Sequence, residues 1–238
     1  MHSGDVSEYK SLFKVAFVVT ILTLIIIPLQ IVVFSIVPLP ETVLEWFELF
    51  QKNGLVAFFH ADLFILIDNI CIAVIYLAFY HTLKGTNKGL LQIGVLLGWI
   101  GIAAYISSNP TFELLALSNA YAAAGSSEAR LVLEAAGKAA LVGWQGTAFD
   151  TYYILNGIAL LIVSLLMTKS AVYDKVTARW GLASAILMTV PSTAGVIGIA
   201  FSLLSLVPWY VFSIRFAGVF RRLGFQATTG AGAPDLES

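Results

Sequence analysis

The sequence predicts an all-α membrane protein with six transmembrane helices, and three observations lead to this prediction. Hydrophobic residues occupy 59% of the 238 positions and charged residues only 11%, whereas a soluble domain is about half apolar and about a quarter charged. The apolar residues form long runs, and a helix needs about 20 of them to cross the hydrocarbon core. The basic residues lie mainly between alternate pairs of runs. A soluble globular fold is therefore excluded.

The apolar runs divide a single domain, residues 1–224, into six predicted spans. The first follows a polar leader, but its apolar part is too long for a signal peptide, and Val37-Pro38-Leu39-Pro40 is not a small-residue cleavage site. A turn beginning at Pro191 separates a short fifth helix from the sixth. The predicted spans are residues 12–37, 55–80, 89–107, 147–167, 176–191 and 194–216, and the Gly- and Ala-rich tail, 225–238, is predicted to be disordered and cytoplasmic.

The placement of charged residues favours six membrane crossings. In the alternative, residues 176–216 form one long kinked span and the chain crosses the membrane five times. With six, ten of the 13 basic residues fall on one side, and the positive-inside rule then places both termini in the cytoplasm of a cell (plasma or inner) membrane. Five crossings would leave the last three arginines outside. The ten are Lys10, Lys14, Lys84, Lys88, Lys169, Lys175, Arg179, Arg215, Arg221 and Arg222.

The predicted outer loop between the third and fourth spans carries helix signals of its own. Asn109 followed by Pro110 is typical of a helix N-cap with proline at the first helical position. Ser126, Ser127 and Glu128 precede an alanine-rich stretch, with the acid in the first turn. We therefore expect two short helices that cover the outer face.

Ionisable side chains inside the spans are the candidate site residues, because an aspartate at the centre of a membrane helix costs about 2.5–3.5 kcal/mol. Asp62 and Asp68 belong to the predicted second span and Asp150 to the fourth. Asp68 is deeper than the other two, so we expect it to be the charged centre of one pocket that opens outward. The structural alternative is that these groups only join helices by hydrogen bonds. The ligand-binding candidates are Asp68, Asp62, Asp150, Asn69, Asn156 and Gln30.

Several chemistries lack their sequence signatures. The chain has no Walker A motif, no dinucleotide fingerprint, no His-Glu-x-x-His and no Gly-x-Ser-x-Gly. The net charge of −1 provides no basic field for nucleic acid, and the lone Cys71 has no partner for an internal disulfide. We predict no cofactor. A metal site would need His60, Asp62, Asp68 and Asp150 together, a histidine-poor set for zinc.

Several short motifs resemble a prokaryotic family of multi-pass membrane proteins, catalogued as domain of unknown function 4386. The motifs lie in the outer loop and the last helix, and the resemblance covers about residues 12–224. It implies a six-helix fold in a bacterial or archaeal cell membrane, and it implies no activity and no site residue. The motifs are Asn109-Pro110-Thr111-Phe112-Glu113-Leu114, Leu117-Ser118-Asn119-Ala120-Tyr121-Ala122, Ala135-Ala136-Gly137, Gly146-Thr147-Ala148-Phe149, Ser202-Leu203-Leu204-Ser205-Leu206-Val207-Pro208-Trp209-Tyr210 and Arg221-Arg222-Leu223-Gly224.

Three functions remain open on the sequence. In the first, the pocket binds an unidentified small ligand or cation, for transport or sensing, with Asp68 as its centre. In the second, a metal held by His60, Asp62, Asp68 and Asp150 activates water for hydrolysis of a lipid-like substrate. In the third, the protein is a structural or accessory subunit. The predicted partners are the lipid bilayer and, as one alternative, further copies of the chain. Whether the chain is an enzyme stays open.

Overall fold

The structure is a computed structural model that describes residues 8–225, and within these residues the chain forms ten helices and no strand. The helices are α1 (Lys10–Ile36), α2 (Val43–Lys52), α3 (Gly54–His60), α4 (Leu63–Leu83), α5 (Lys88–Ser108), α6 (Thr111–Ala123), α7 (Ser127–Trp144), α8 (Thr147–Met167), α9 (Lys175–Met188) and α10 (Gly195–Phe225).

Six of these helices pack in a closed ring. In ring order they are α1, α4, α5, α8, α9 and α10, and α10 returns to pack against α1. The tightest pair is α5 and α8, because glycines on α5 let the two backbones approach closely. A Cβ on Gly101 would lie 2.5 Å from Nδ2 of Asn156 and 3.3 Å from the carbonyl oxygen of Tyr152.

The four remaining helices, α2, α3, α6 and α7, form a second unit that we call the cap. Its own core contains Trp46, Phe47, Phe50, Leu114 and Trp144, all of them buried. α2 begins at a capping box in which Thr42 and Glu45 satisfy each other's backbone N–H groups. The cap lies at the end of the ring where α4 and α8 begin.

The opposite end of the ring, which we call the basic end, joins the start of α1 to the ends of α4 and α10. Gly224 packs directly against the backbone of Lys14. The Tyr9 and His81 rings lie 3.8 Å apart, and the hydroxyl groups of Thr82 and Tyr173 lie 2.8 Å apart. These contacts bring together the segments that carry the ten basic residues of the predicted cytoplasmic side.

An aromatic cluster fills the ring near the basic end. Phe79 of α4 is fully buried, with its ring centroid 5.0 Å from Phe216 and 5.6 Å from Phe220. Phe212 and Tyr173 complete the cluster around it. The ring is therefore tightly packed at this end.

Five stretches of helix in the described residues are long and apolar enough to cross a membrane, which indicates a membrane-embedded protein. α9 is not among them, because its 14 residues reach only about 21 Å, less than the ~30 Å of a hydrocarbon core. The five are Lys10–Ile36, Leu63–Leu83, Lys88–Ala123, Ser127–Met167 and Gly195–Phe225.

The prediction of one continuous helix from 55 to 80 is wrong. The helix breaks between α3 and α4, where Asp62 has φ 60° and ψ 24°, in the left-handed region. Aspartate tolerates this region better than most residues. The break is stabilised because the carbonyl oxygen of Ala61 accepts hydrogen bonds from the side chains of Asn109 and Thr111. The apolar pattern continues through the break, so the pattern does not reveal it.

Apart from the C-terminal end of α10, the ends of the other ring helices lie near their predicted positions. The structure places the fourth predicted span at Thr147–Met167, as the sequence does, and it separates α9 from α10 at the turn containing Pro191. α10 continues to Phe225, nine residues beyond the predicted end at 216. The remainder of the predicted disordered tail, 226–238, lies outside the described residues.

Candidate functional site

The predicted site residues do not share one pocket. Two cavities lie at different depths in the half of the ring nearer the cap, and Asp62 and Asp68 line different ones. The first, which we call the cap pocket, has a volume of about 360 Å³ and includes His60 and Asp62 in its wall. The second, which we call the Asp68 cavity, has a volume of about 170 Å³ and includes Asp68 and Asn156.

Asp62, the residue before α4, links that helix to α1 and α5 by hydrogen bonds. Its Oδ1 accepts a hydrogen bond from Nε2 of Gln30, 2.5 Å away, and its Oδ2 accepts one from the hydroxyl of Tyr105 at 3.1 Å. Both carboxylate oxygens therefore have partners, one from α1 and one from α5. Gln30, another candidate, acts here as a donor to Asp62.

Asp150 also has a partner. Its Oδ1 accepts a hydrogen bond from the hydroxyl of Thr193, which lies in the turn between α9 and α10 and lines the cap pocket. Asp150 lies in the first turn of α8, where a negative charge interacts favourably with the helix dipole. This carboxylate thus joins the start of α8 to the turn.

His60 forms hydrogen bonds with the backbone of the segment that follows α1. Its Nε2 lies 3.1 Å from the carbonyl oxygen of Val37 and 3.2 Å from that of Pro38, so this nitrogen carries a proton and donates it. The ring is fully buried and packs edge-on against Phe34 and Trp46. His60 therefore holds α3 to the end of α1.

Asp68 differs from Asp62 and Asp150. Only 3% of the residue is exposed, it lines the Asp68 cavity, and its Oδ1 has no hydrogen-bond partner among the described residues. The hydroxyl of Ser202 on α10 lines the same cavity and is likewise buried without a partner there. Buried polar atoms are rarely left unpaired in proteins. Two such atoms on one cavity wall indicate a place where a polar solute or water binds.

The other amide candidates bond to protein groups, although the buried Oδ1 of Asn69 has no partner among the described residues. Asn156 accepts a hydrogen bond on Oδ1 from the hydroxyl of Tyr76, at 3.0 Å, and donates from Nδ2 to the carbonyl oxygen of Tyr152, at 3.1 Å. Nδ2 of Asn69 donates to the carbonyl oxygen of Ile65 within α4. Asn156 thus fixes the position of Tyr76 in the cavity wall.

Four aromatic residues are part of the Asp68 cavity wall, and aromatic contacts also lie between this cavity and the cap pocket. Tyr152 and Tyr153 line the cavity, whereas Phe149 lines the cap pocket. The Tyr105 ring contacts both sides, with its centroid 4.9 Å from Tyr152 and 5.9 Å from Phe149. Because Tyr105 is also bonded to Asp62, the partition between the two cavities is anchored at the break between α3 and α4.

The sequence patterns do not identify the aromatic part of the site. Tyr76, Tyr152, Tyr153 and Trp209 all line the Asp68 cavity, yet tyrosine and tryptophan in apolar runs are typical of membrane interfaces. One signal was present: Tyr152, Asn156 and Leu160 are spaced four residues apart and so share one face of a helix.

The four candidate metal ligands do not form a metal centre. Within the described chain, no three His, Cys, Asp or Glu side chains come together in a way that would hold an ion. His60, Asp62 and Asp150 each bond to protein groups, and Asp68 lines a different cavity. The geometry gives no support to a hydrolytic metal site.

Comparison with models of known families gave no match, and searches of curated proteins and of solved structures found no similar chain.

Proposed function

We propose that this protein crosses a cell membrane six times, with both termini in the cytoplasm, and binds a small ligand or cation in the Asp68 cavity for transport or sensing. The basic end then faces the cytoplasm and the cap faces outward. The resemblance to the family of unknown function agrees with this topology and adds no activity to it.

Contacts at the two ends of α9 support the sixth crossing. At the basic end, Arg215 bonds to Asp174, the residue before α9, and to Thr177. At the other end, Thr193 bonds to Asp150 in the first turn of α8. α9 and the turn after it therefore run alongside the whole of α8, whose 21 residues extend about 32 Å, enough for a hydrocarbon core of about 30 Å.

The observation that carries the binding function is the unpartnered carboxylate oxygen of Asp68. A buried charge is normally paired, because burying it alone is very costly. No Lys, Arg or His lines this cavity among the described residues. A solute that brings its own positive charge or hydrogen-bond donor would compensate Asp68, whereas Asp62 and Asp150 are already compensated by Gln30, Tyr105 and Thr193.

Cysteine accessibility tests whether the cavity admits solutes. In a Cys71→Ala background, Ser202→Cys places a thiol on the cavity wall, and Ser213→Cys places one on the same helix in the packed half near the basic end, where Ser213 is fully buried. We expect a water-soluble methanethiosulfonate reagent, added from the cap side, to modify Cys at 202 and not at 213. Equal reaction rates at the two positions would contradict the proposal.

A further inference from the structure

We infer that the Asp68 cavity is a binding site for a small organic cation, a protonated amine or a quaternary ammonium group, held by the carboxylate of Asp68 and by the surrounding aromatic rings. This inference rests on the proposed function and narrows it to one class of ligand.

The charge balance of the cavity favours a cation. Asp68 is the one charged side chain among the described lining residues, and no basic group accompanies it. Its Oδ1 is buried and lacks a partner in the described chain. An anionic ligand would add a second negative charge in a medium of low dielectric constant, where like charges repel strongly. A neutral ligand could donate a hydrogen bond to Asp68 but would leave its negative charge unbalanced.

The composition of the wall favours an organic cation over a metal ion. Hard divalent cations such as Ca²⁺ take about six to eight oxygen ligands. Asn156 has already committed its Oδ1 to Tyr76, and Ser205 donates to the carbonyl oxygen of Ser202. Asp68 and the Ser202 hydroxyl are the remaining unpartnered buried oxygens of the described wall. Two oxygens are too few for such an ion, but they suit an ammonium group.

Four aromatic rings form a second part of the binding surface. Rings attract cations through their negative faces, an interaction worth about 2 kcal/mol or more when the pair is away from water. Several aliphatic side chains complete the wall and would contact the alkyl groups of an organic cation. The four rings are Tyr76, Tyr152, Tyr153 and Trp209.

The volume limits the size of the ligand. The cavity has a volume of about 170 Å³, which suits a small solute. Tetramethylammonium and ethylammonium are small enough to serve as probes of it. The inferred ligand is therefore a small alkylammonium ion or the ammonium head of a larger molecule.

Thermal unfolding of the purified full chain in detergent tests this inference. The probes are tetramethylammonium chloride, ethylammonium chloride, sodium chloride, potassium chloride and neutral tert-butanol, with the ionic strength held constant. We expect the two ammonium ions to raise the Tm of the unsubstituted protein in a saturable way, since a ligand that binds only the folded state stabilises it. Sodium, potassium and tert-butanol should produce no saturable rise.

Three variants assign the effect to the cavity. Asp68→Asn keeps the shape of the side chain and removes its charge, and we expect it to weaken ammonium binding by about 30-fold or more. Trp209→Leu keeps apolar bulk without the π-face and should weaken binding by about threefold to tenfold. Asp150→Asn makes the same charge change outside the cavity, where Asp150 bonds to Thr193, and should leave ammonium binding unchanged.

The outcomes separate this inference from the proposed function. Saturable stabilisation by sodium, potassium or tert-butanol that depends on Asp68 would overturn the ammonium assignment and leave the binding function in place. If no probe raises the Tm of the unsubstituted protein, or if Asp68→Asn responds to ammonium as that protein does, the ammonium assignment is wrong. The reactivity of Ser202→Cys against Ser213→Cys then decides separately whether the cavity admits solutes.

Discussion

Asp62 and Asp68 are six residues apart in the chain, yet they line different cavities and differ in how their charges are compensated. Gln30 and Tyr105 donate to both oxygens of Asp62, whereas Oδ1 of Asp68 has no partner among the described residues. The helix break at Ala61 and Asp62 separates them, because Asp62 is turned out of the helix that carries Asp68. The first carboxylate therefore holds helices together, and the second is the proposed ligand-binding group.

Substitutions at Asp62 will distinguish the contribution of its hydrogen bonds to stability from the contribution of its backbone conformation. Asp62→Gly removes both hydrogen bonds but tolerates the positive φ, and we expect a loss of about 1–3 kcal/mol in unfolding free energy. Asp62→Ala should cost about 1 kcal/mol more, because alanine disfavours the left-handed region. Asp62→Asn, which tolerates that region and keeps one acceptor, should be the mildest change. Reversible unfolding in mixed detergent measures the order, and an alanine variant as stable as the glycine variant would contradict it.

The corresponding change at Asp68 should not destabilise the protein in the absence of ligand. Asp68→Asn removes a carboxylate whose Oδ1 forms no hydrogen bond with the described residues, and burying an uncompensated charge is costly. We expect the Tm of Asp68→Asn to equal or exceed that of the unsubstituted protein in ligand-free buffer. A clear drop in Tm would indicate that Asp68 has a structural role like that of Asp62.

Glycines at the contact of α5 with α8 should be intolerant of alanine. A Cβ at Gly101 would lie 2.5 Å from Nδ2 of Asn156, and overpacking of this kind costs about 1–3 kcal/mol. Gly218 of α10 is a matched control, since a Cβ there meets nothing within 4 Å. Gly218→Ala should instead stabilise the helix by about 0.5–1 kcal/mol. Equal Tm changes for the two variants would contradict the close packing of α5 and α8.

Asp174 should make the stability of the basic end depend on pH. Hydrogen bonds from the backbone N–H and hydroxyl of Thr177, and the Arg215 guanidinium, lower the pKa of Asp174 below its ordinary value of 3.8. A lowered pKa in the folded state means that the unfolded state takes up the proton first as the pH falls. The stabilisation is therefore complete well above pH 4 and is lost below it.

Variants at Asp174 test this pH dependence. At neutral pH, Asp174→Ala loses the N-cap of α9 at a cost of about 1 kcal/mol, whereas Asp174→Asn keeps a cap and loses only the ion pair. The difference in unfolding free energy between the unsubstituted protein and Asp174→Asn should shrink as the pH falls below about 4. Denaturant unfolding at several pH values measures it, and a difference that does not change with pH would contradict the assignment.

Thiol labelling in intact cells tests the six crossings. In the Cys71→Ala background, Ser126→Cys is in the cap, and Ser170→Cys and Arg222→Cys are near the basic end. We expect a membrane-impermeant maleimide to label position 126 in intact cells and positions 170 and 222 only after permeabilisation. Labelling of 222 but not 170 in intact cells would favour five crossings.

The sequence predicts most of the helices, because long apolar runs bounded by charges leave few other structures in a membrane. α8 begins and ends at the predicted residues, and the turn containing Pro191 separates α9 from α10. The sequence does not predict the break at Asp62, since side chains of Asn109 and Thr111, distant in the chain, stabilise it. For the same reason, the separation of Asp62 from Asp68 and the tyrosines around Asp68 depend on packing that no local pattern contains.

The most direct test of the account is the charge selectivity of thiol modification at position 202. Cys at 202 in the Cys71→Ala background is treated with two methanethiosulfonate reagents of similar size, one bearing an ammonium group and one a sulfonate. For each reagent, the reaction rate at position 202 is divided by its rate with a free thiol in solution. We expect this ratio to be higher for the ammonium reagent, and we expect Asp68→Asn to reduce the difference between the two reagents by about tenfold. A preference that Asp68→Asn leaves unchanged would contradict the claim that Asp68 makes this cavity a cation site.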